Sequence, residues 1–251
     1  MSADVIRLVA PNPGPMTLEG TNTYLVGRDP AIVIDPGPAD SDHLEAIRAE
    51  AEGRGGIGTV LLTHSHGDHA DGVEPLGIEP TQVADGQAAA GLTTLATPGH
   101  APDHLCFLLE PGHAAADPEA RAAACFAGDL VLGEGSTFVP TREQGGSLAD
   151  YLDSLRRLEA IDLELIYPGH GPEVTGPAAK IAEYIEHRLD RERRLVAALK
   201  RGERSRDRLL AEVWDDVPEA LLPVAAVVMQ AHIEKLEAEG ALPGGTDSLT
   251  A

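Results

Sequence analysis

His64-Ser65-His66-Gly67-Asp68-His69 places three imidazoles and a carboxylate within six positions, directly after the apolar run 59–62. Neutral imidazole suits zinc and other borderline metals, and a carboxylate adds the charge compensation that a divalent cation needs. The segment therefore reads as a nest of metal ligands in a strand-to-helix turn, where Gly67 is expected to let the backbone fold tightly. One segment cannot complete two coordination shells, so further ligands are expected at other strand ends. His100 in Thr97-Pro98-Gly99-His100, Asp129 in Ala127-Gly128-Asp129 and His170 in Tyr167-Pro168-Gly169-His170 stand in such glycine-containing turns.

Outward from this cluster, residues 23–26, 31–34 and 59–62 are expected strands, ending at Gly27, at Asp35-Pro36-Gly37 and at Thr63-His64. A helix lies between the last two, capped near Ser41-Asp42, with Leu44, Ile47 and Ala51 at helical spacing before Gly53. Strands at 92–95, 105–109 and 124–127 follow, with an Ala-rich surface loop at 112–123. Ser147 opens a helix whose apolar stripe is Leu148, Tyr151, Leu152, Leu155 and Leu158, and residues 163–167 form a strand running into Pro168-Gly169-His170. Strand and helix in alternation, with ligands at strand ends, define an α/β layered enzyme. From Pro177 the alternation stops: one long helix carries Ile181, Tyr184, Ile185, Leu189 and Val196, and two or three shorter ones fill 209–240. The expected organisation is a catalytic domain at 1–176 and a small helical module at 177–251.

Cys106 and Cys125 have no CxxC spacing and each precedes a phenylalanine in an apolar run, which reads as two buried thiols in a reducing compartment. The first residues lack a basic segment followed by an apolar one, and no apolar run approaches a membrane span, so a cytoplasmic chain without a membrane partner is expected. A net charge of -22 repels polyanions at long range, against nucleic acid as the main substrate. Basic residues nevertheless gather between His187 and Arg208, nine against four acidic ones. That stretch reads first as a solvated helix face with ordinary ion pairs, and alternatively as a groove for a phosphate backbone.

The order of these motifs resembles the metallo-β-lactamase-fold hydrolase superfamily. Residues 12–24, 99–104, 133–137 and 184–188 further resemble its β-lactamase-like protein 2 branch, a similarity spanning nearly the whole chain. The resemblance implies a four-layer αβ/βα sandwich with a winged-helix-like C-terminal module. It implies two divalent ions: one held by His64, His66 and His100, the other by Asp68, His69 and His170, with Asp129 bridging both. Asp35 matches an aspartate that supports the ligands from behind. True zinc β-lactamases carry cysteine where Asp129 stands, so antibiotic hydrolysis is not the expected task. Relative to the branch, the stretch between His69 and His100 is shortened.

Two such ions about 3.5–4 Å apart would share a water ionised near neutral pH and polarise a scissile carbonyl or phosphoryl group. The expected function is hydrolysis of a small ester, thioester or lactone by that hydroxide. Zn2+ is the expected metal, with Mn2+ or Fe2+ alternatives. Asp68 and His104 are the catalytic candidates, Asp103 is a neighbouring substrate contact, and Ser136 and Thr137 sit in a loop suited to substrate approach. The alternatives are a single-strand endoribonuclease using the basic stretch, and a ligand-sensing nucleic-acid-binding regulator. The latter is disfavoured by four basic against ten acidic residues in 203–251. The C-terminal module is expected to cover the cleft or form a homodimer contact.

Overall fold

The computed structural model describes residues 4–244. The first sheet has the order β1 (Val5–Val9), β2 (Asn22–Val26), β3 (Ala31–Ile34) and β4 (Ile57–Leu61). The second has the order β5 (Ala88–Ala89), β6 (Leu92–Ala96), β7 (Leu105–Leu109), β8 (Ala123–Gly128) and β9 (Leu163–Pro168). Neighbours are antiparallel except the last pair of each sheet, β3 with β4 and β8 with β9, which are parallel.

Strand alternation sorts the apolar side chains into layers. Tyr24, Val26 and Ile34 of the first sheet meet Phe107, Leu109, Phe126 and Tyr167 of the second in a core between the sheets. The alternate residues Leu25, Val33 and Val60 face outward onto Leu44, Ile47 and Ala51 of α1 (Ser41–Glu52). On the second sheet, Cys106, Leu108, Cys125 and Ile166 face outward onto α4 (Leu148–Glu159) through Tyr151, Leu152, Leu155 and Leu158. Helix, two sheets and helix make the four-layer αβ/βα sandwich. Two single-turn helices, α2 (Gly67–Ala70) and α3 (Val73–Leu76), follow β4.

Helix α5 (Pro177–Lys200) is about 36 Å long. Its first half buries Ile181 and Tyr184 against the α4 side of the second sheet; its second half buries Leu195, Ala198 and Leu199 against α6 (Arg206–Val213) and α7 (Leu222–Ala238). One rod thus belongs to two cores. Among the described residues the C-terminal module is helical throughout, with no strand to form a wing.

Three local readings change. The cap of α1 is Asp40, whose Oδ1 accepts the His43 amide at 2.9 Å, because its extended backbone points the carboxylate at that N–H. Residues 112–122 carry no regular element, yet Ala115 and Ala116 are buried in the core between the sheets. The strands β1 and β5 escape sequence reading because β1 is interrupted by Arg7 and β5 is two residues long. Asp40→Ala is expected to cost about 1 kcal/mol of stability, whereas Ser41→Ala stays within about 0.5 kcal/mol. Urea unfolding of both variants measures the difference, and equal costs would return the cap to Ser41.

Candidate metal centre

The two parallel pairs deliver their C-terminal ends to one side of the sandwich, where α/β folds gather their sites. Asp35 follows β3, Thr63 and His64 follow β4, Asp129 follows β8 and His170 follows β9. His66 is the N-cap of α2, and Asp68 and His69 lie on that turn. His100 sits in the connection between β6 and β7. Gly67 has ordinary helical backbone, so it does not supply the tight turn expected of it. A Cβ there would meet the Asp71 carboxylate at 2.7 Å, and the requirement is one of space.

Hydrogen-bond partners decide which ring nitrogen each histidine offers. His69 Nδ1 donates to Asp35 Oδ2 at 2.9 Å, His100 Nδ1 to the Phe138 carbonyl at 2.7 Å, and His170 Nδ1 to the Gly20 carbonyl at 3.2 Å. His64 Nδ1 lies 3.0 Å from Thr63 Oγ1, which donates its own proton to Asp35 Oδ2 at 2.6 Å. Each of the four rings therefore turns its Nε2 toward the others. His66 presents Nδ1, 3.0 Å from His64 Nε2 and 2.9 Å from His100 Nε2. On the other side His69 Nε2 is 3.3 Å from His170 Nε2, and Asp68 Oδ2 is 3.3 Å from His170 and 3.7 Å from His69. Asp129 stands between the groups, Oδ1 at 3.5 and 3.4 Å from His69 and His170, Oδ2 at 3.5 Å from His100.

Burial pushes the His64 and His66 imidazoles below their usual range. It acts the same way on His69, but the Asp129 and Asp35 carboxylates overcome it and hold that ring well above. Asp129 would be raised by its burial, yet the His69, His170 and His100 rings hold it well below the carboxylate range. Asp68 is likewise lowered against its burial, through His170. Both carboxylates are ionised at neutral pH.

These atoms fit a divalent cation. Asp129 Oδ1 is buried without a hydrogen-bond donor, and imidazole nitrogens from five histidines converge on that carboxylate and on one another within 2.9–3.5 Å. Ligands at 2.0–2.1 Å from a tetrahedral ion lie about 3.3–3.4 Å apart, within the spread observed. Three overlapping triads have ligand atoms within 4.8 Å of one another: His64, His66 and His100; His64, His69 and Asp129; Asp68, His69 and His170. At Gly169 a Cβ would lie 2.7 Å from Asp129 Oδ1, so the backbone itself forms part of the cradle.

Asp35 supports the cluster as expected by position, and its backbone is in the left-handed region (φ 51°), which aims the carboxylate at β4. Its Oδ1 also accepts the Thr63 amide at 2.7 Å. Thr63 is a residue the sequence reading passed over, as is Thr97, whose hydroxyl is 2.8 Å from His104 Nδ1. His104 departs from its expected role. Its Nε2 accepts the Asp129 amide at 3.1 Å, so both nitrogens are spent, and burial lowers its pKa to about 3. It holds the Asp129 backbone from behind and does not face a substrate. Asp103 is exposed; Ser136 and Thr137 are gripped by Arg188, and the Thr137 hydroxyl donates to the Asp129 carbonyl at 2.9 Å.

Two facing sheets with histidines and aspartates gathered at one end make a scaffold whose residues could hold metal ions. The sequence profile described as the Metallo-beta-lactamase superfamily matches residues 16–77, and the chain belongs to that superfamily. It is 33% identical over 271 residues to a beta-lactamase-like protein 2 homolog of Caenorhabditis elegans, covering 96% of this chain and 86% of that one. It is 38% identical over 220 residues to an atrochrysone carboxyl ACP thioesterase of Aspergillus chevalieri, covering 78% of this chain. The chain spans between 47% and 68% of the length of the fungal relatives it matches. A solved beta-lactamase domain protein from Burkholderia ambifaria superposes with a TM-score of 0.78 at 20% identity, over 98% of this chain and 90% of its own, a likeness of fold.

Thr63→Val removes the link between His64 and Asp35 without changing a ligand. Metal affinity is expected to fall about 10- to 100-fold, read by competition with a chelator. An affinity equal to wild type would show that the link does not orient the rings.

Proposed function

We propose that the chain is a dinuclear metal hydrolase that cleaves a small thioester, ester or lactone, with a thioester favoured. The observation that supports this most is the convergence of five imidazole nitrogens and two ionised carboxylates, with the opposite ring nitrogens of His64, His69, His100 and His170 already engaged. His64, His66 and His100 would hold one ion and Asp68, His69 and His170 the other, with Asp129 turning one oxygen to each. Zinc suits the donor set, and manganese or iron(II) would be accepted. When bound, such a pair supplies an ionised water and polarises a carbonyl.

The chain's own residues do the rest. Asp35, Thr63 and the Phe138 and Gly20 carbonyls hold the rings in place, so no ligand has to reorient. Asp68, ionised and with its side chain 32% exposed, would accept the proton of the attacking water. Water adds to the carbonyl carbon, the C–S bond breaks, and the proton passes to the departing sulfur, giving an acid and a thiol. His104 is spent on Thr97 and Asp129 and cannot protonate a leaving group. A thiol, with an ordinary pKa of about 8.5, departs with the least such help, which favours a thioester over an alkyl ester. The thioesterase named among the relatives points the same way.

The endoribonuclease and regulator readings find less support. Arg191 pairs with Asp216, Arg193 with Glu186 and Asp190, Arg194 with Asp215 and Arg201 with Glu212, so much of the basic stretch is neutralised within the chain.

Elemental analysis of the purified protein should find two divalent ions per chain, and Asp129→Ala should hold fewer. Asp68→Asn should lower kcat/KM for a thioester about 10²- to 10⁴-fold. Full activity in Asp68→Asn, or in protein stripped of metal by a chelator, would overturn the reading.

A further inference from the structure

A cavity of about 480 Å³ lies between the loop carrying Pro15 and Met16, the loop 135–138, α5 and the start of α7. Its size is that of small-molecule sites, which run about 300–1,000 Å³. Met16, Phe138, Trp214, Leu221, Val224 and Val228 make its walls. Two atoms tie it to the site already described. The Thr137 hydroxyl donates to the Asp129 carbonyl, and the Phe138 carbonyl accepts from His100 Nδ1. One loop is therefore the wall of the cavity and the support of two ligand residues.

The charged side chains around the cavity are already committed. Arg188 donates to Ser136 Oγ and the Thr137 carbonyl, Arg191 donates to the Val213 carbonyl and Asp216, and Glu183 lies 3.4 Å from Lys180. Arg188 has only neutral partners, and the Nε atoms of Arg188 and Arg191 are buried without an acceptor, so one edge of the cavity is cationic while most of its wall is apolar. Met16, 42% exposed, is one of two exposed large hydrophobic side chains among the described residues, and it stands on the cavity wall.

We infer that this cavity binds the acyl body of the substrate, and that the body is largely apolar, an extended aliphatic or aryl group rather than an acetyl. The carbonyl then points past Thr137 to the ligand cluster. The placement of the carbonyl rests on the hydrolase reading above; the occupancy of the cavity does not. The same geometry gives a role to two sequence motifs that the ligands leave unused. The 12–21 loop carries Met16 while its Gly20 carbonyl holds His170. Tyr184 takes the Leu132 amide and donates to the Gly135 carbonyl, which together with Arg188 braces the 132–137 loop.

Trp214 is the chain's single tryptophan and lines the cavity, so its emission reports what enters. The experiment titrates the metal-loaded protein with 2-undecanone, an apolar ketone that cannot be hydrolysed, and measures decanoyl and acetyl thioesters in parallel. Wild type should show a saturable change in emission. Val224→Asp, and separately Met16→Asp at the open rim, should weaken it at least ten-fold and lower the decanoyl-to-acetyl ratio of kcat/KM at least ten-fold. No saturable binding to wild type, or wild-type affinity in both variants, overturns the inference. Binding that the variants weaken, without hydrolysis of any thioester, keeps the cavity's role and overturns the hydrolase reading. Hydrolysis whose chain-length preference ignores both variants does the reverse.

Discussion

Asp129 puts an ionised carboxylate where its Oδ1 has no hydrogen-bond donor and its neighbours are the Nε2 atoms of His69, His100 and His170. Taking an unpaired carboxylate out of water costs several kcal/mol. The protonation of His69 favoured by Asp35 and Asp129 offsets part of this in the chain alone, and a divalent cation would replace that proton with a stronger counter-charge. The other features of this end of the fold follow from keeping that arrangement in place: Asp35 strained to reach His69, His104 spent on the Asp129 amide, Gly169 without a side chain beside its carboxylate.

The sandwich solves the placement problem by repetition. Each sheet ends in one parallel pair, so each sheet sends two strand ends to the same side, and the sheets pack face to face through Tyr24, Phe107, Phe126 and Tyr167. Tyr24 and Asn22 also cross between the sheets, donating to the Pro168 carbonyl at 2.8 and 2.9 Å, directly before the His170 turn. Rigid packing of the apolar layer therefore sets the separation of ligands drawn from residues as far apart as 35 and 170. Precision at the site is inherited from the core.

The C-terminal helices share in this. Helix α5 bridges two cores, and Tyr184 and Arg188 on it grip the loop that supports Asp129 and His100. A module that looks like an appendage in sequence is mechanically continuous with the ligand cluster and supplies most of one wall of the neighbouring cavity. Its arginines, read from sequence first as an ion-paired helix face and alternatively as a groove for a polyanion, pair with carboxylates of the chain at Arg191, Arg193, Arg194 and Arg201.

The sequence by itself determined the cluster at 64–69 and the outlying His100, Asp129 and His170, because ligand chemistry restricts residue types and glycine turns after apolar runs mark strand ends. Period-two and helical spacing also located β3, β7, α1 and α4 within a residue or two, since those segments bury one or both faces. Tertiary structure alone decided the rest. Thr63 and Thr97 are ordinary strand-end residues until hydrogen bonds over 28 and 7 positions give them partners. His104 reads as a proton donor until burial and the Asp129 amide take both its nitrogens. The apolar cavity arises only where loops 12–21 and 133–138 meet helices more than forty residues further along. Composition and spacing record what a residue can do; which atoms it faces is a property of the packed chain.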